Sequence, residues 1–528
     1  MNASQLTLGP SISRWLAVLF SLCVAAQVIA VPGDLDTTFD TDGIVTFIPP
    51  GSAQQTTEGR TVLTADQKIV VASVCLQGGV TGFCLTRFNA NGSVDSTFGT
   101  SGVAFGPAGS EKNIRGVTGL DIDPNTQALV IAGICRPAPN ANDNFCVTRF
   151  SAAGVHETNF GSYAPFVTAI GNIKVGRLRV GSDSKVKLAL GMPRSTPAGG
   201  SDMAILALNA DGTPDATFVN SSTAEGLVGV KVLAAPSGAT GKQYLVDLSI
   251  RPDGSTVYLG PCQINAGGTY YFVCMGALNP AGATLLANRT FISNYDDYPA
   301  QLMPLPDGSF IVAGTSTRAP PEAYGEAMIS SRFKLNFANL TVGVFWGYVG
   351  AYYATGSPVA PTLFGSVQAH NFVASNDGKF YFQYCYGSDG ASCTTKRVER
   401  FTSLGVPDTS WGTNGVFTIP QSQSTYRMGN LLVQDDGKLV AAGGSPFSSG
   451  FSLVRMTNDS MPGFACSMDI DGDGKVLPTT DGLLLSRALM GMTGNSVIQN
   501  ATGVGATRAT WAAIRDYLVL RCGLKLKP

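Results

Sequence analysis

The stretch DIDGDGKVLPTTDG, Asp469 to Gly482, sets three carboxylates on alternate residues, Asp469, Asp471 and Asp473, and follows them with Gly474. Carboxylates at positions 1, 3 and 5 of a loop, with glycine at 6 for the sharp turn, converge as hard oxygen ligands on Ca2+; position 7, here Lys475, adds its backbone carbonyl. Position 12 holds Thr480, and the next acid, Asp481, comes one residue later. An inserted residue would let Asp481 close the site as it opens the helix TDGLLLSRALMG. The expectation is one Ca2+ site formed by Asp469, Asp471, Asp473, Lys475 and Asp481, with a weakened loop as the alternative.

Other chemistry is sparse. The chain has two histidines, His156 and His370, and neither stands in a ligand or nucleophile pattern. Asp296 and Asp297 are adjacent, and neighbours on a strand face opposite ways. No GxSxG elbow and no HExxH occurs, and of four tryptophans only Trp346 and Trp411 lie in the repeats, which gives no platform for stacking a sugar or a quinone. No catalytic residue is assigned. With 35 basic against 36 acidic residues and no basic stripe, nucleic acid is excluded as a partner.

The N-terminus indicates the compartment. Arg14 precedes the apolar run Trp15 to Ala26, and Val28 and Ala30 offer a small-residue cleavage site. A spanning helix needs about 20 apolar residues, so residues 1–30 read as a signal peptide, and the mature protein as secreted or periplasmic with no membrane span. Export permits disulfides. Of 11 cysteines, Cys23 leaves with the leader, and the rest fall in pairs: Cys75 with Cys84, Cys135 with Cys146, Cys262 with Cys274, Cys385 with Cys393, and Cys466 with the distant Cys522. A cysteine metal site is the competing reading, and the absence of CxxC spacing argues against it. Each local bridge closes a loop of about ten residues, for about 2.5 kcal/mol in the chain-entropy model.

The elements that position these residues repeat. The order seen in DQKIVVASVC followed by FCLTRFNANGSVDSTFGTSGVAF recurs in seven copies, beginning at Asp66, Asn125, Ser182, Arg251, Leu305, Asn376 and Gln434. Each copy reads as a turn, a β-branched run, a loop, a second run ending near RF, and another turn, which makes antiparallel hairpins. Copy seven lacks the tail, whereas the mature chain begins with one, GDLDTTFDTDGIVTF. That complementarity suits a ring, so the expected fold is mainly β: a seven-bladed β-propeller over residues 31–460, closed by an N-terminal strand, then a small helical module over 461–528.

The pattern PDGK, VAG, RF, then LD-x-x-FG-x-x-G resembles the delta-60 repeat of bacterial exported proteins, carried by Asp36, Phe39, Asp95, Phe98, Gly99, Asp215, Phe218, Asp408 and Gly412. Glu157 replaces the Asp of one tail and Trp411 the Phe of another; copies four and five lose the tail. The resemblance implies a propeller-like scaffold and carries no reaction. The C-terminal stretch resembles a dockerin-type module with an EF-hand-like loop, matched through Leu485 and Leu489; its second half, from Asn500, keeps a helix over about Ala509 to Leu520 but no Asp-rich loop. That implies one bound calcium, serving as a folding clip or for docking to a protein partner. Two functions stand: an exported non-enzymatic scaffold binding a protein or polysaccharide at the propeller face, or an extracellular polysaccharide-acting hydrolase or lyase with a dockerin-like appendage.

Overall fold

The computed structural model describes residues 32–49, 60–77, 79–106, 113–136, 144–160, 174–193, 200–218, 228–233, 239–265, 269–290, 296–304, 309–317, 326–336, 341–350, 368–375, 379–386, 395–402, 406–420, 427–444, 450–458, 468–473, 475–506, 508–520 and 526. The fold is mainly β with a propeller arrangement. Among the described residues, Arg60–Leu63, Asn113–Ile122, Lys174–Val180, Asp247–Ile250, Asp296–Pro304, Gln368–Ala374 and Arg427–Val433, the strands that open the copies expected from the sequence, neighbour one another in turn, and the last returns to the first.

Four of the sheets are separate and four-stranded, not seven as the repeat count leads one to expect. The second copy contributes three strands. The third and fourth merge into one nine-stranded sheet, because Ala239–Gln243 pairs on both sides: parallel to Ser201–Leu208 through Ser201 and Lys242, and antiparallel to Thr256–Asn265. The N-terminal strand behaves as its tail-like sequence requires. Ile44–Phe47 pairs antiparallel with Phe451–Met456 and completes the sheet of the last copy.

The first copy shows why its run is continuously apolar. In Ile69–Gln77, Val70, Ala72 and Val74 join the core shared with the second copy, while Ile69 and Val71 join the core shared with the last. Side chains alternate along a strand, so a strand packed on both faces has no solvent side to mark with polar residues. Each fully buried Val, Leu or Ile contributes about 1.5–3 kcal/mol to holding neighbouring sheets together.

A second device joins the copies. Arg87 Nε donates to Asp95 at 2.7 Å, its guanidinium lies over Phe98, and its Nη1 reaches Ala152 O of the next copy at 2.7 Å. Arg455 repeats this with Asp36, Phe39 and Ala90, and Arg149 with Glu157, Phe160 and Ala210. Arg400 pairs with Asp408 and Trp411. The tail aromatic then packs on a glycine turn of the following copy: at Gly92, φ +92°, an added Cβ would touch the Phe39 ring at 3.0 Å. Burial alone would raise the Asp95 carboxyl, but the Thr97 hydroxyl, the Lys68 ammonium and Arg87 outweigh it and hold it well below the usual carboxylate range.

Copy three keeps the device by a swap. Its RF position is Ala207, and the residue opposite on the neighbouring strand, valine in the first copy, is Lys187. Lys187 lies over Phe218, and Lys185 pairs with Asp215 at 2.8 Å. The cation has moved across the strand pair to the same place.

After residue 468 the chain turns helical: one π-helical turn at Pro478–Gly482, then α1 (Leu483–Leu489), α2 (Asn495–Ile498) and α3 (Trp511–Leu520). These elements enclose their own apolar cluster of Ile470, Leu484, Ala488, Val497, Ala501, Ile514 and Leu518. No described helix is long and apolar enough to cross a membrane.

Candidate metal centre

Asp469, Asp471 and Asp473 each offer a carboxylate oxygen, and these oxygens lie within 4.8 Å of one another. The loop's own amides bend it into that shape: Asp469 Oδ1 accepts from Gly472 N at 2.8 Å and Asp473 N at 3.1 Å, and Asp473 Oδ1 accepts from Lys475 N at 2.8 Å. Gly472 has φ +73°, a turn that a side chain would resist. Asp471 is fully buried. Oxygens bound at about 2.4 Å to one ion lie at most about 4.8 Å apart, so the observed span fits Ca2+ with its usual oxygen distances. The donor set therefore fits a hard divalent cation.

Asp481 is placed otherwise than its spacing implies. Its Oδ1 accepts from Ile470 N at 2.5 Å and Asp471 N at 3.3 Å, and its Oδ2 from Leu477 N at 2.9 Å and the Thr480 hydroxyl at 3.0 Å. It stands outside the converging group of three. The inserted residue puts it in the helical turn, where the nearest charge partners are backbone amides. Burial would raise its carboxyl, but the amides of Leu477, Ile470 and Asp471 outweigh that and hold it below the usual range. Asp481 is a staple that fixes the start of the loop against its end.

The second half of the segment supports the centre in a way its sequence did not reveal. Gly503 N donates to Asp471 Oδ2 at 2.5 Å, and a methyl added at Gly503 would collide with the Asp473 carboxylate. Only glycine lets this backbone lie so close.

The ring of first strands holds a second charged group. Asp247, fully buried, accepts from Arg179 at 3.0 Å, Leu248 N at 2.9 Å and Leu302 N at 3.0 Å. Asp121 on the preceding first strand but one accepts from Val180 N at 2.9 Å; burial pushes its carboxyl up against the charge of Arg179. Arg177 Nη2 reaches Asn371 at 3.0 Å and Gln301 at 3.4 Å. Sequence reading missed this group, because its members stand singly on separate strands.

The cysteine expectations divide. Cys75–Cys84 and Cys262–Cys274 are disulfides. Their registers agree: Cys75 faces Gly82 and Cys84 faces Ser73, while Cys262 faces Phe272 and Cys274 faces Gly260. Cys135 and Cys146 share that offset and are buried, yet they are not bridged; each thiol sits against the carbonyl it faces, Asn144 O at 3.9 Å and Gly133 O at 3.8 Å. Cys385 lies in the strand Phe380–Tyr386, whereas Cys393, Cys466, Cys522 and the leader 1–30 fall outside the described residues. His156 Nε2 lies 2.9 Å from the Thr148 hydroxyl, as a residue of the turn. His370, Asp296 and Asp297 lie on first strands.

Among solved structures, the chain is similar to the polysaccharide lyase Uly1, at 12% identity over 78% of this chain and 91% of that one, TM-score 0.44. It is also similar to a PL25 ulvan lyase bound to -[GlcA(1-4)Rha3S]-, at 9% identity over 81% and 95%, TM-score 0.43. The β-propeller domain of Nup133 from Vanderwaltozyma polyspora follows at 9% over 78% and 99%, TM-score 0.38. Likenesses this distant carry no functional argument. No curated protein matches the chain. Residues 64–98, the first hairpin and its tail, match the model of the family described as a domain of unknown function (DUF5122) beta-propeller.

Proposed function

We propose that the protein is an exported, non-enzymatic binding scaffold: a propeller of seven repeat units that presents a face to a protein or polysaccharide, followed by a dockerin-like helical module clipped by one Ca2+. The convergence of Asp469, Asp471 and Asp473 within 4.8 Å carries the calcium reading. Those three residues and the Lys475 carbonyl would hold the ion, and Asp481 would hold the loop from behind. The recurring tail acids support the scaffold reading, because Asp36, Asp95, Asp215 and Asp408 are each spent on an ion pair. Export is supported by the two disulfides.

The test is calorimetric titration of the mature chain with Ca2+, with thermal unfolding in parallel. One site per chain, abolished in Asp469→Ala, is expected, and calcium at about 100 times Kd should stabilise the module by about 2.7 kcal/mol. A wild type that binds no calcium sinks the reading.

One observation favours the enzyme alternative, a hydrolase or lyase acting on extracellular polysaccharide. Asp121 and Asp247 are two carboxylates tied through Arg179 on the ring of first strands, and the raised Asp121 carboxyl is suited to donating a proton. Release of reducing ends from an acidic polysaccharide, lost in Asp121→Asn, would establish it; no release from a broad panel by wild type would end it.

A further inference from the structure

The acidic loop has a second copy that has lost its acids. Beneath Asp469-Ile470-Asp471-Gly472-Asp473-Gly474, the run Asn500-Ala501-Thr502-Gly503-Val504-Gly505 keeps both glycines, the apolar second position, and side-chain oxygens at the first and third. The packing repeats as well. Ile470 matches Ala501 at a spacing of 31 residues, while Leu484 matches Ile514 and Ala488 matches Leu518 at 30, and all six are buried in one cluster. The difference of one is the residue inserted before Asp481. Loop and helix have therefore been duplicated, and the copies face each other across a shared core.

What the second copy lacks in carboxylates it answers with a cation of its own. Arg508, the ninth residue of the second loop, turns back to the first: its backbone N donates to Asp471 O at 2.8 Å, its Nε to Ile470 O at 2.7 Å, and its Nη2 to Asp469 O at 2.5 Å. Those carbonyls belong to three consecutive residues, the first three of the acidic loop. The guanidinium is backed by the Tyr517 ring of α3 at 4.0 Å. A guanidinium offers a rigid fork of donors, which suits it to holding several carbonyls in one geometry.

We infer that Arg508 is the positioning residue of the cation loop: its guanidinium holds the first two loop residues, Asp469 and Ile470, beside its own amide on Asp471, and keeps α3 docked on them when no ion is bound. A second ion is then unnecessary, because the second loop supplies its own positive charge. Calcium binding by the first loop is taken from the reading above; the effect of Arg508 on α3 without calcium is independent of it.

The experiment is hydrogen exchange of the full mature chain, wild type against Arg508→Met and Arg508→Lys, in EDTA and in excess Ca2+. Charged hydrogen bonds to two carbonyls, those of Asp469 and Ile470, are at stake, so in EDTA amide exchange across residues 511–520 should quicken at least about tenfold in Arg508→Met and less in Arg508→Lys. Added Ca2+ should restore most of the protection to Arg508→Met, since the ion then fixes the loop. Unchanged exchange in EDTA overturns the inference; so does a loss that Ca2+ leaves untouched while calorimetry shows the ion bound. Should the wild type bind no calcium, the calcium reading alone falls, and the EDTA comparison still decides the role of Arg508.

Discussion

Two sets of aspartates in this chain are built from the same residue in opposite electrostatic surroundings. In the propeller, Asp95 meets Arg87 at 2.7 Å and Lys68 at 3.0 Å, and Asp36 meets Arg455 at 2.8 Å and Lys438 at 3.1 Å. In the C-terminal loop, Asp469, Asp471 and Asp473 converge on one another. The first set carries its cations in the sequence; the second gathers carboxylates at one point, where the proposed cation would come from outside. An acidic residue is thus informative about ligands only after its neighbours in space are counted.

The strongest way to break the comparison is acid, because four of the propeller clasps titrate together. The carboxyls of Asp36, Asp95, Asp215 and Asp408 are held below their ordinary value of 3.8. A carboxyl lowered by folding stabilises fully above its unfolded value and loses that contribution as pH falls through its folded value. Asp121, raised by burial, works in the other direction. Thermal unfolding followed from pH 5 to pH 2 should therefore show the propeller losing stability below about pH 4; a flat melting temperature across that range would refute the clasp electrostatics.

Next in size is the single clasp between the turn ahead of Ile44–Phe47 and the last described strand, Phe451–Met456. Asp36→Ala leaves the buried Arg455 without its carboxylate, and breaking a buried pair costs about 3–5 kcal/mol. Urea unfolding of the variant measures this, and a loss under about 1 kcal/mol would place the pair with ordinary surface ion pairs.

A sharper cut at the loop is Gly503→Ala. The methyl meets the Asp473 carboxylate, and overpacking at this level costs about 1–3 kcal/mol. Calcium affinity should fall while the propeller's melting transition stays put, and equal calcium affinity would show that the second loop does not wall the site.

The smallest effect concerns the swapped cation of copy three. Lys187→Val should destabilise by about 1–2 kcal/mol, and adding Ala207→Arg should recover most of it by recreating the pairing of the first copy, a coupling within the usual range for neighbours. Independent effects of the two changes would mean that the guanidinium cannot occupy the place of the ammonium.

Much of this was readable from the residues. The tail-like start of the chain indicated that Ile44–Phe47 would complete the last sheet, because a missing tail at one end and a spare tail at the other have one economical solution. The three loop carboxylates were readable because turn geometry ties local spacing to convergence. The tail Asp was half readable: as a turn residue it does accept from Thr97 N and hydroxyl, but its partner Arg87 lies on the adjoining strand. A signal was present, since the RF arginine stands eight residues before the acid in Arg87–Asp95, Arg149–Glu157 and Arg400–Asp408 alike. The fusion of the third and fourth copies was not readable. Ala239–Gln243, sequence ATGKQ, carries no alternating apolar pattern, and its pairing is set by where neighbouring edges leave room.

The closing strand also sets an order in time. The contact between Arg455 and Asp36 spans 419 residues, whereas its counterpart between Arg87 and Asp95 spans 8. With loop entropy growing as (3/2)RT times the logarithm of length, the longer closure costs about 3.5 kcal/mol more for the same chemistry. A chain made from its N-terminus must therefore carry Ile44–Phe47 unpaired until Phe451–Met456 exists. For that interval Ile44–Phe47 is an open edge, able to pair with another chain, and completing the ring is what removes the hazard.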